Sequence, residues 1–426
     1  MPFSEFCFPQ ALCQAIDEVG YVAATPIQQA VIPWVIQGED ILASAETGTG
    51  KTAAFALPLL TKLASDDFEQ HSLKVLVMAP TRELVIQIHE SFEKYAQYLS
   101  LKSVAVYGGA SINPQRKSLA SGVDILVATP GRLFDIIGQY GLDLSSVNHL
   151  VIDEADRMLD MGFVRDIEKV QSLVAKQHQT MMFSATYSSD VEALATRMLQ
   201  SPKVVNVKRQ STANTITQKA YLLDKRRKAE LLSELIGIHN WQQLLVFTST
   251  KETAEYLIKE LTLDGIKAAV FHGDKTQGAR NKALAQFKAG ELRVLVATDL
   301  AARGLDIEAL PRVVNFELPE ENEDYVHRIG RTGRAGKLGE AISFFSPQER
   351  NKLAEIEALI GQSIQVDVPK GYEAGAPLPA RYRELVSEKP KKKASFKHAG
   401  KNKHSSSKGN GKVKAKPSRR GKYAKG

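Results

Sequence analysis

Nine short runs of the 426-residue chain are predominantly apolar, with at most one Ser, Thr or Asn each, at residues 41–45, 75–79, 125–129, 150–152, 181–183, 244–248, 294–298, 313–316 and 341–345. They do not alternate apolar with polar, and helix-like stretches separate them. Strands of this kind need cover on both faces, which parallel sheets flanked by helices provide. The predicted fold class is therefore α/β, with parallel sheets and helices on both sides. The series breaks at the polar, turn-prone segment VKRQSTANTITQ. We therefore predict a first domain at residues 1–207, an interdomain linker at 208–217, a second domain at 218–366 and a tail at 367–426. Two domains suit a chain of this length. ILVATPGRLFDI, beginning at Ile125, is echoed by VLVATDLAARGLDI, beginning at Val294, as expected of a duplicated fold.

Charge divides along the same lines. The net charge is +8, yet residues 389–426 hold 15 Lys and Arg with no Asp or Glu, leaving about −7 for the remainder. This Lys-, Gly- and Ser-rich tail lacks the apolar surface to offset chain entropy, so disorder is expected. An unbroken positive run suits a polyanion through counterion release, nucleic acid above all, with a solubilising tail as the alternative. No apolar run approaches the ~20 residues of a membrane span. The start, MPFSEFCFPQ, lacks signal-peptide character. Cys7 and Cys13 have no Cys or His partners nearby, so neither a disulfide framework nor a zinc site is indicated. A cytoplasmic setting and no membrane partner are the expectation.

The run ending at Ala45 leads into AETGTGKT and then AAFALPLL. Strand, glycine loop and helix in that order form a phosphate cradle. Ala45, Glu46, Thr47, Gly48, Thr49 and Gly50 would surround the phosphates with N–H groups, helped by the N-terminus of the following helix. Lys51 would reach the β/γ-phosphates and the Thr52 hydroxyl would ligate Mg²⁺. An ordinary glycine turn is the alternative, opposed by the intact G-K-T and its flanks.

Farther on, HLVIDEAD sets Asp153 and Glu154 at the end of a buried strand, where open α/β sheets bind ligands. Asp153 suits Mg²⁺ through water, and Glu154 can take a proton from an attacking water. Alone, such acids are more often a helix cap. In the other half, YVHRIGRTGRAG spaces Arg328, Arg331 and Arg334 by three. Guanidinium forks match phosphate geometry, although a basic last helical turn would read the same way. The second half has no phosphate loop of its own, so one nucleotide shared across a cleft is the economical arrangement.

These motifs resemble those of the DEAD-box RNA helicases, from residue 3 to about residue 346. Asp153-Glu154-Ala155-Asp156 is the family's name-giving tetrapeptide. ATPIQQ, PTREL, Gly108-Gly109, TPGR, SAT, VFTST, HGD, ATDLAARGLDI and HRIGRTGR stand in family order. The resemblance implies two tandem RecA-like domains and an RNA-stimulated ATPase that unwinds or remodels RNA duplexes and RNA–protein complexes. It implies that Gln28 pairs with adenine, Phe3 stacks on the base and Asp306 touches the ribose. Arg331 and Arg334 would contact the γ-phosphate, while Ser184, Thr186 and His327 couple hydrolysis to closure. RNA backbone contacts would fall to Thr81, Arg82, Gly109, Thr129 and Arg132, and to Gln277, Arg280 and Thr298. Glu46, Ala24 and Leu305 replace the family's commoner Gln, Pro and Ile without touching an assigned role. The short N-terminus and basic tail look closest to the bacterial RhlE-like subgroup, with ribosomal or RNA-decay complexes as implied partners. An ATP-gated RNA clamp and a DNA translocase on the same fold are the rival readings.

Overall fold

A computed structural model of the chain describes residues 1–45, 48–65, 72–207, 216–302, 307, 310–333, 338–373 and 375–377, with the side chain of Leu300 left out. Fourteen strands are present among these residues. In the first half they are β1 (Ile41–Ser44), β2 (Val75–Met78), β3 (Ser103–Val106), β4 (Ile125–Ala128), β5 (His149–Ile152), β6 (Gln179–Ser184) and β7 (Lys203–Asn206). In the second half they are β8 (Ile216–Leu222), β9 (Leu244–Thr248), β10 (Ala268–Phe271), β11 (Val294–Thr298), β12 (Arg312–Asn315), β13 (Gly339–Phe345) and β14 (Gln365–Asp367).

The strand orders are β3-β4-β2-β5-β6-β1-β7 and β10-β11-β9-β12-β13-β8-β14. Every pairing is parallel. The second order repeats the first strand for strand, and β4 and β11 are the two segments whose sequences echo each other. This is the tandem parallel architecture expected from the apolar runs.

Each sheet is covered on both faces because successive side chains of a strand point to opposite sides. In β2, Val75 and Val77 enter one core cluster while Leu76 and Met78 enter the other. In β9, Leu244 and Val246 face one cluster, and Leu245 and Phe247 face its opposite. Burying each such side chain contributes about 1.5–3 kcal/mol. This double cover fixes the sheets and sends the loops at the carboxyl ends of the strands, where α/β sheets build ligand sites, toward a common face.

Two boundaries differ from expectation. β8 begins at Ile216, inside the stretch assigned to the linker, because Ile216 is buried in the second core. At the other end, Asp367 lies in β14 and Tyr372 is buried under the Arg227 guanidinium, 4.2 Å from the ring centroid. Residues 367–372 thus belong to the folded second half rather than to the tail. Residues 208–215 of the expected linker, and the tail from 378 onward, lie outside the described residues.

Candidate functional site

The phosphate loop follows β1, where Ala45 N–H donates to the Ser184 carbonyl at the end of β6 (3.1 Å). Gly48 and Gly50 have φ of 80° and 90°, a region that side chains resist. At Gly50 a Cβ would also sit 2.4 Å from Gln28 Nε2. The helix Lys51–Ser65 opens directly afterwards, with Thr52 in its first turn. Lys51 is 6% exposed, and its Nζ has no hydrogen-bond partner among the described residues. A buried, unbonded ammonium is costly unless a ligand completes it. Phosphate oxygens fit that requirement.

Gln28 sits on the helix Pro26–Gln37. Its Oε1 accepts from Thr25 N–H (2.9 Å) and its Nε2 donates to the Gly50 carbonyl (3.2 Å). The amide expected at the base edge is therefore bonded to the phosphate loop. Phe3, expected to stack on the base, is 7% exposed and lies on Tyr21, ring centroids 6.0 Å apart. Its surroundings are core contacts, which draw an N-terminal aromatic inward for the apolar area it buries.

Asp153 and Glu154 follow β5. Asp153 Oδ1 accepts from Glu154 N–H (2.9 Å), and Glu154 takes a φ of 53°, rare for a residue with a side chain. Burial pushes the Asp153 carboxyl up to about 6, against the pull of Lys51. Burial opposes the charge of Glu154 as well, but Arg157, Lys51 and Arg331 outweigh it and hold the carboxylate below its usual range. Glu154 Oε2 accepts from Arg157 Nη1 at 2.8 Å. The candidate base is thus ionised but engaged. Asp156 Oδ2 accepts from Ala185 N–H (3.1 Å), Thr186 N–H (2.9 Å) and Thr186 Oγ1 (3.0 Å), tying this loop to the end of β6. Ser184 Oγ is buried without a hydrogen-bond partner among the described residues.

The second half reaches the same acids. Burial and then the Arg157 charge hold the His327 imidazole well below its ordinary range, so the ring is neutral at pH 7. Arg331 is buried and its charge acts on Glu154. A cavity of about 730 Å³ opens between the halves, lined by Asp156, Arg157 and Thr186 on one side and by Thr298, Asp299 and His327 on the other. Arg328 has a different job from Arg331. Its Nε and Nη2 clasp Asp299 (2.5 and 2.6 Å), and Nη1 donates to Asn315 Oδ1 (3.2 Å) and the Glu317 carbonyl (2.6 Å). With every arm committed, it anchors the helix Asn322–Ile329 to the sheet.

The first-half residues expected at RNA lie at the helix starts and loops that follow β2, β3 and β4. Thr81 caps the helix Arg82–Tyr95, its Oγ1 accepting from Leu84 N–H (3.3 Å). Arg82 Nη1 donates to the Gly109 carbonyl (3.1 Å) and Arg132 Nη2 to the Ala110 carbonyl (2.9 Å). Thr129 precedes the helix Pro130–Tyr140 and makes no side-chain cap bond. Across the cleft, Arg280 Nη2 pairs with Glu83 Oε1 (2.9 Å), to which Gln277 Nε2 also donates (3.2 Å). Glu83 thereby bridges the two halves.

The sequence reading assigns no role to Asp156, Arg157 or Glu83. The i, i+3 spacing of Glu154 and Arg157 was a usable signal for their ion pair. Nothing local announces Glu83, whose partners are almost two hundred residues away. Glu46, Thr47, Asp306 and Arg334 lie outside the described residues. Among the described residues no three His, Cys, Asp or Glu side chains are grouped to hold a metal ion. The oxygen donors of Thr52 and Asp153 instead suit Mg²⁺, which keeps waters and phosphates in its shell. No helix among them is long and apolar enough to cross a membrane.

Comparison with known proteins agrees with this arrangement. A family model described as DEAD/DEAH box helicase matches residues 25–194, and one described as helicase conserved C-terminal domain matches residues 227–336. The DEAD-box ATP-dependent RNA helicase CshA of Bacillus subtilis is 43% identical over 356 residues, 83% of this chain and 72% of the relative. That of Bacillus cereus is 42% identical over 374 residues, 87% and 71% of the two chains. Among solved structures, S. cerevisiae Dbp5 bound to RNA and ADP BeF3 gives a TM-score of 0.77 at 27% identity, covering 90% of this chain and 99% of that one. Mss116p bound to ssRNA and AMP-PNP gives 0.79 at 27% identity, covering 90% and 80%. The two Bacillus relatives carry the CshA name, and nothing in these comparisons supports the RhlE-like subgroup. With its glycine loop, its Asp153–Asp156 tetrapeptide and its repeated parallel sheets, the chain belongs to the DEAD-box ATP-dependent RNA helicases.

Proposed function

We propose that the two halves close on one ATP, with Lys51, Thr52, Asp153 and Glu154 from the first and Arg331 and Arg334 from the second. Closure creates the state that holds a single RNA strand and displaces its partner. The observation that carries this reading is the buried Lys51 ammonium, without a hydrogen-bond partner among the described residues, whose charge acts on Asp153 and Glu154 in a cluster that the Arg331 charge also reaches. Mg²⁺, held by Thr52 and through water by Asp153, would supply charge neutralisation at the phosphates. Lys51 orients the phosphates, and Arg331 and Arg334 meet charge developing at the transition state. Glu154 receives the proton of the attacking water once it is released from Arg157. His327, Thr186 and Asp156 relay closure to the loop after β6. ATP and RNA act through their higher affinity for the closed state.

RNA engages Thr81, Arg82, Gly109, Thr129, Arg132, Gln277, Arg280 and Thr298 through phosphate and sugar contacts, which carry no base sequence. The basic segment 389–426 adds nonspecific affinity, and its removal should flatten the salt dependence by ~0.7 for each phosphate that the segment neutralises. Ribosomal or RNA-decay complexes in the cytoplasm are the assemblies such an activity would serve. The test is Glu154→Gln, assayed for ATP-analogue binding, RNA binding and turnover. Retained binding with turnover reduced at least ~10²-fold supports the role given to Glu154. Turnover at the unsubstituted rate would remove Glu154 as the base.

A further inference from the structure

The loop that follows β3 seats the two first-half arginines expected at RNA. Arg82 donates to the Gly109 carbonyl at 3.1 Å and Arg132 to the Ala110 carbonyl at 2.9 Å. The Arg82 guanidinium also lies 4.6 Å from the centroid of the Tyr107 ring. Gly109 has a φ of 72°, and a Cβ there would meet Arg82 Nη1 at 3.2 Å, so the backbone needs glycine to approach that closely. Arginine placement therefore depends on where residues 107–110 run.

That path is set from the neighbouring helix, Ile112–Ala120. Its one buried side chain is a polar one, Gln115, 8% exposed, while Ile112 and Leu119 are only partly buried. The Gln115 amide meets the backbone of Tyr107 in both directions. Tyr107 N–H donates to Gln115 Oε1 (3.0 Å), and Gln115 Nε2 donates to the Tyr107 carbonyl (3.1 Å) and to the Ser111 carbonyl (3.3 Å). β3 is an edge strand, paired only with β4. The side chain supplies, one residue beyond the strand, the two-way pairing that a neighbouring strand would otherwise give. A buried amide is costly unless its donors and acceptor are satisfied. Here they are satisfied by the loop itself, so the residue and the loop path specify each other.

We infer that Gln115 is a positioning residue for RNA engagement: it fixes residues 107–111 so that their carbonyls hold Arg82 and Arg132 ready for the nucleic acid. The inference rests on the reading of Arg82 as an RNA contact. Being buried, Gln115 acts through the arginines, and its loss falls on RNA affinity rather than on nucleotide chemistry.

The experiment titrates RNA-stimulated ATP hydrolysis by the full chain with a single-stranded oligouridylate. Gln115→Met keeps the volume and removes every hydrogen bond, whereas Gln115→Glu keeps only the acceptor for Tyr107 N–H. These are compared with Arg82→Met and with the double variant Gln115→Met/Arg82→Met, each checked by its thermal unfolding midpoint. Losing the clamp should raise the RNA concentration for half-maximal rate roughly tenfold. The maximal rate and the KM for ATP at saturating RNA should stay within about twofold, and the double variant should fall short of the product of the two single losses, because only the Arg132 share of the Gln115 effect remains once Arg82 is gone. Gln115→Glu should give the same split, which keeps the test available if the Met variant does not fold. Multiplying losses in the double variant, or a loss confined to the maximal rate, overturns the inference. If Arg82→Met shifts RNA half-saturation and Gln115→Met does not, the inference alone fails. If Arg82→Met also shifts nothing, the RNA-contact reading fails with it.

Discussion

Replacing Gly50 with alanine isolates the link between Gln28 and the phosphate loop. At a φ of 90° the new side chain imposes backbone strain of about 1–2 kcal/mol whatever surrounds it. Its Cβ would also stand 2.4 Å from Gln28 Nε2, against the 3.4 Å at which ordinary contact begins. The amide must retreat, breaking its 3.2 Å bond to the Gly50 carbonyl and leaving a buried donor unsatisfied, a further ~1–3 kcal/mol. Gly50→Ala should thus cost about 3 kcal/mol in the unsubstituted chain. In a Gln28→Ala background the clash with the amide is gone, only the 3.3 Å approach to Thr25 Oγ1 and the backbone strain are left, and about 1.5 kcal/mol should remain. The assay uses Trp34, which lies on the same helix as Gln28 and is one of only two tryptophans. With Trp241→Phe in every variant, urea unfolding followed by Trp34 fluorescence reports the first half. Equal costs in the two backgrounds, within about 0.5 kcal/mol, would show that Gln28 does not bear on the loop.

Glu83 and Arg280 should show a coupling of roughly 1–2 kcal/mol in a double-mutant cycle on RNA-stimulated kcat/KM, because their 2.9 Å pair joins the halves; additive losses would make the bridge irrelevant to turnover. The two arginines of HRIGR should separate: Arg328→Lys, which keeps a charge at Asp299 but loses the bonds to Asn315 and the Glu317 carbonyl, should destabilise the fold by ~1–3 kcal/mol in urea, while Arg331→Lys should lower turnover in a chain that remains folded. His149, buried at the start of β5, has its pKa lowered to about 4 by burial and then by the Lys62 charge. Between the unfolded value of about 6.5 and about 4 the unfolded state binds more protons, so stability falls as pH falls. His149 should contribute about 2 kcal/mol of loss between pH 7 and pH 5, and His149→Gln should remove that component from the urea profile. An unchanged profile would contradict the burial argument.

The strands legible in the sequence are those buried on both faces: β1, β2, β4, β5, β6, β9, β11, β12 and β13 are apolar runs. The strands missed are β3, β7, β8, β10 and β14. Four of these are sheet edges, and β8 lies next to one. One side of an edge strand faces helices or solvent, so its residues alternate or mix, as in β7, where Val204 and Asn206 are exposed. The site divides in the same way. Lys51, Asp153 and Glu154 were legible because chemistry demands those residue types beside a glycine loop. Gln115, Glu83 and Arg157 were not, since their meaning depends on partners that only the folded chain supplies. Arg328 and Arg331 look alike in sequence and differ only in what surrounds them.

The central claim is that hydrolysis needs RNA because RNA draws the two halves around one nucleotide. The direct measurement is steady-state ATP hydrolysis by the full chain without nucleic acid, with single-stranded RNA and with DNA of the same sequence, for the unsubstituted protein and for Arg331→Met. The account predicts strong stimulation by RNA, little by DNA, and a loss of ~10³-fold or more for Arg331→Met in the presence of RNA. Equal stimulation by RNA and DNA, or an Arg331→Met variant that RNA stimulates to the full rate, would contradict it.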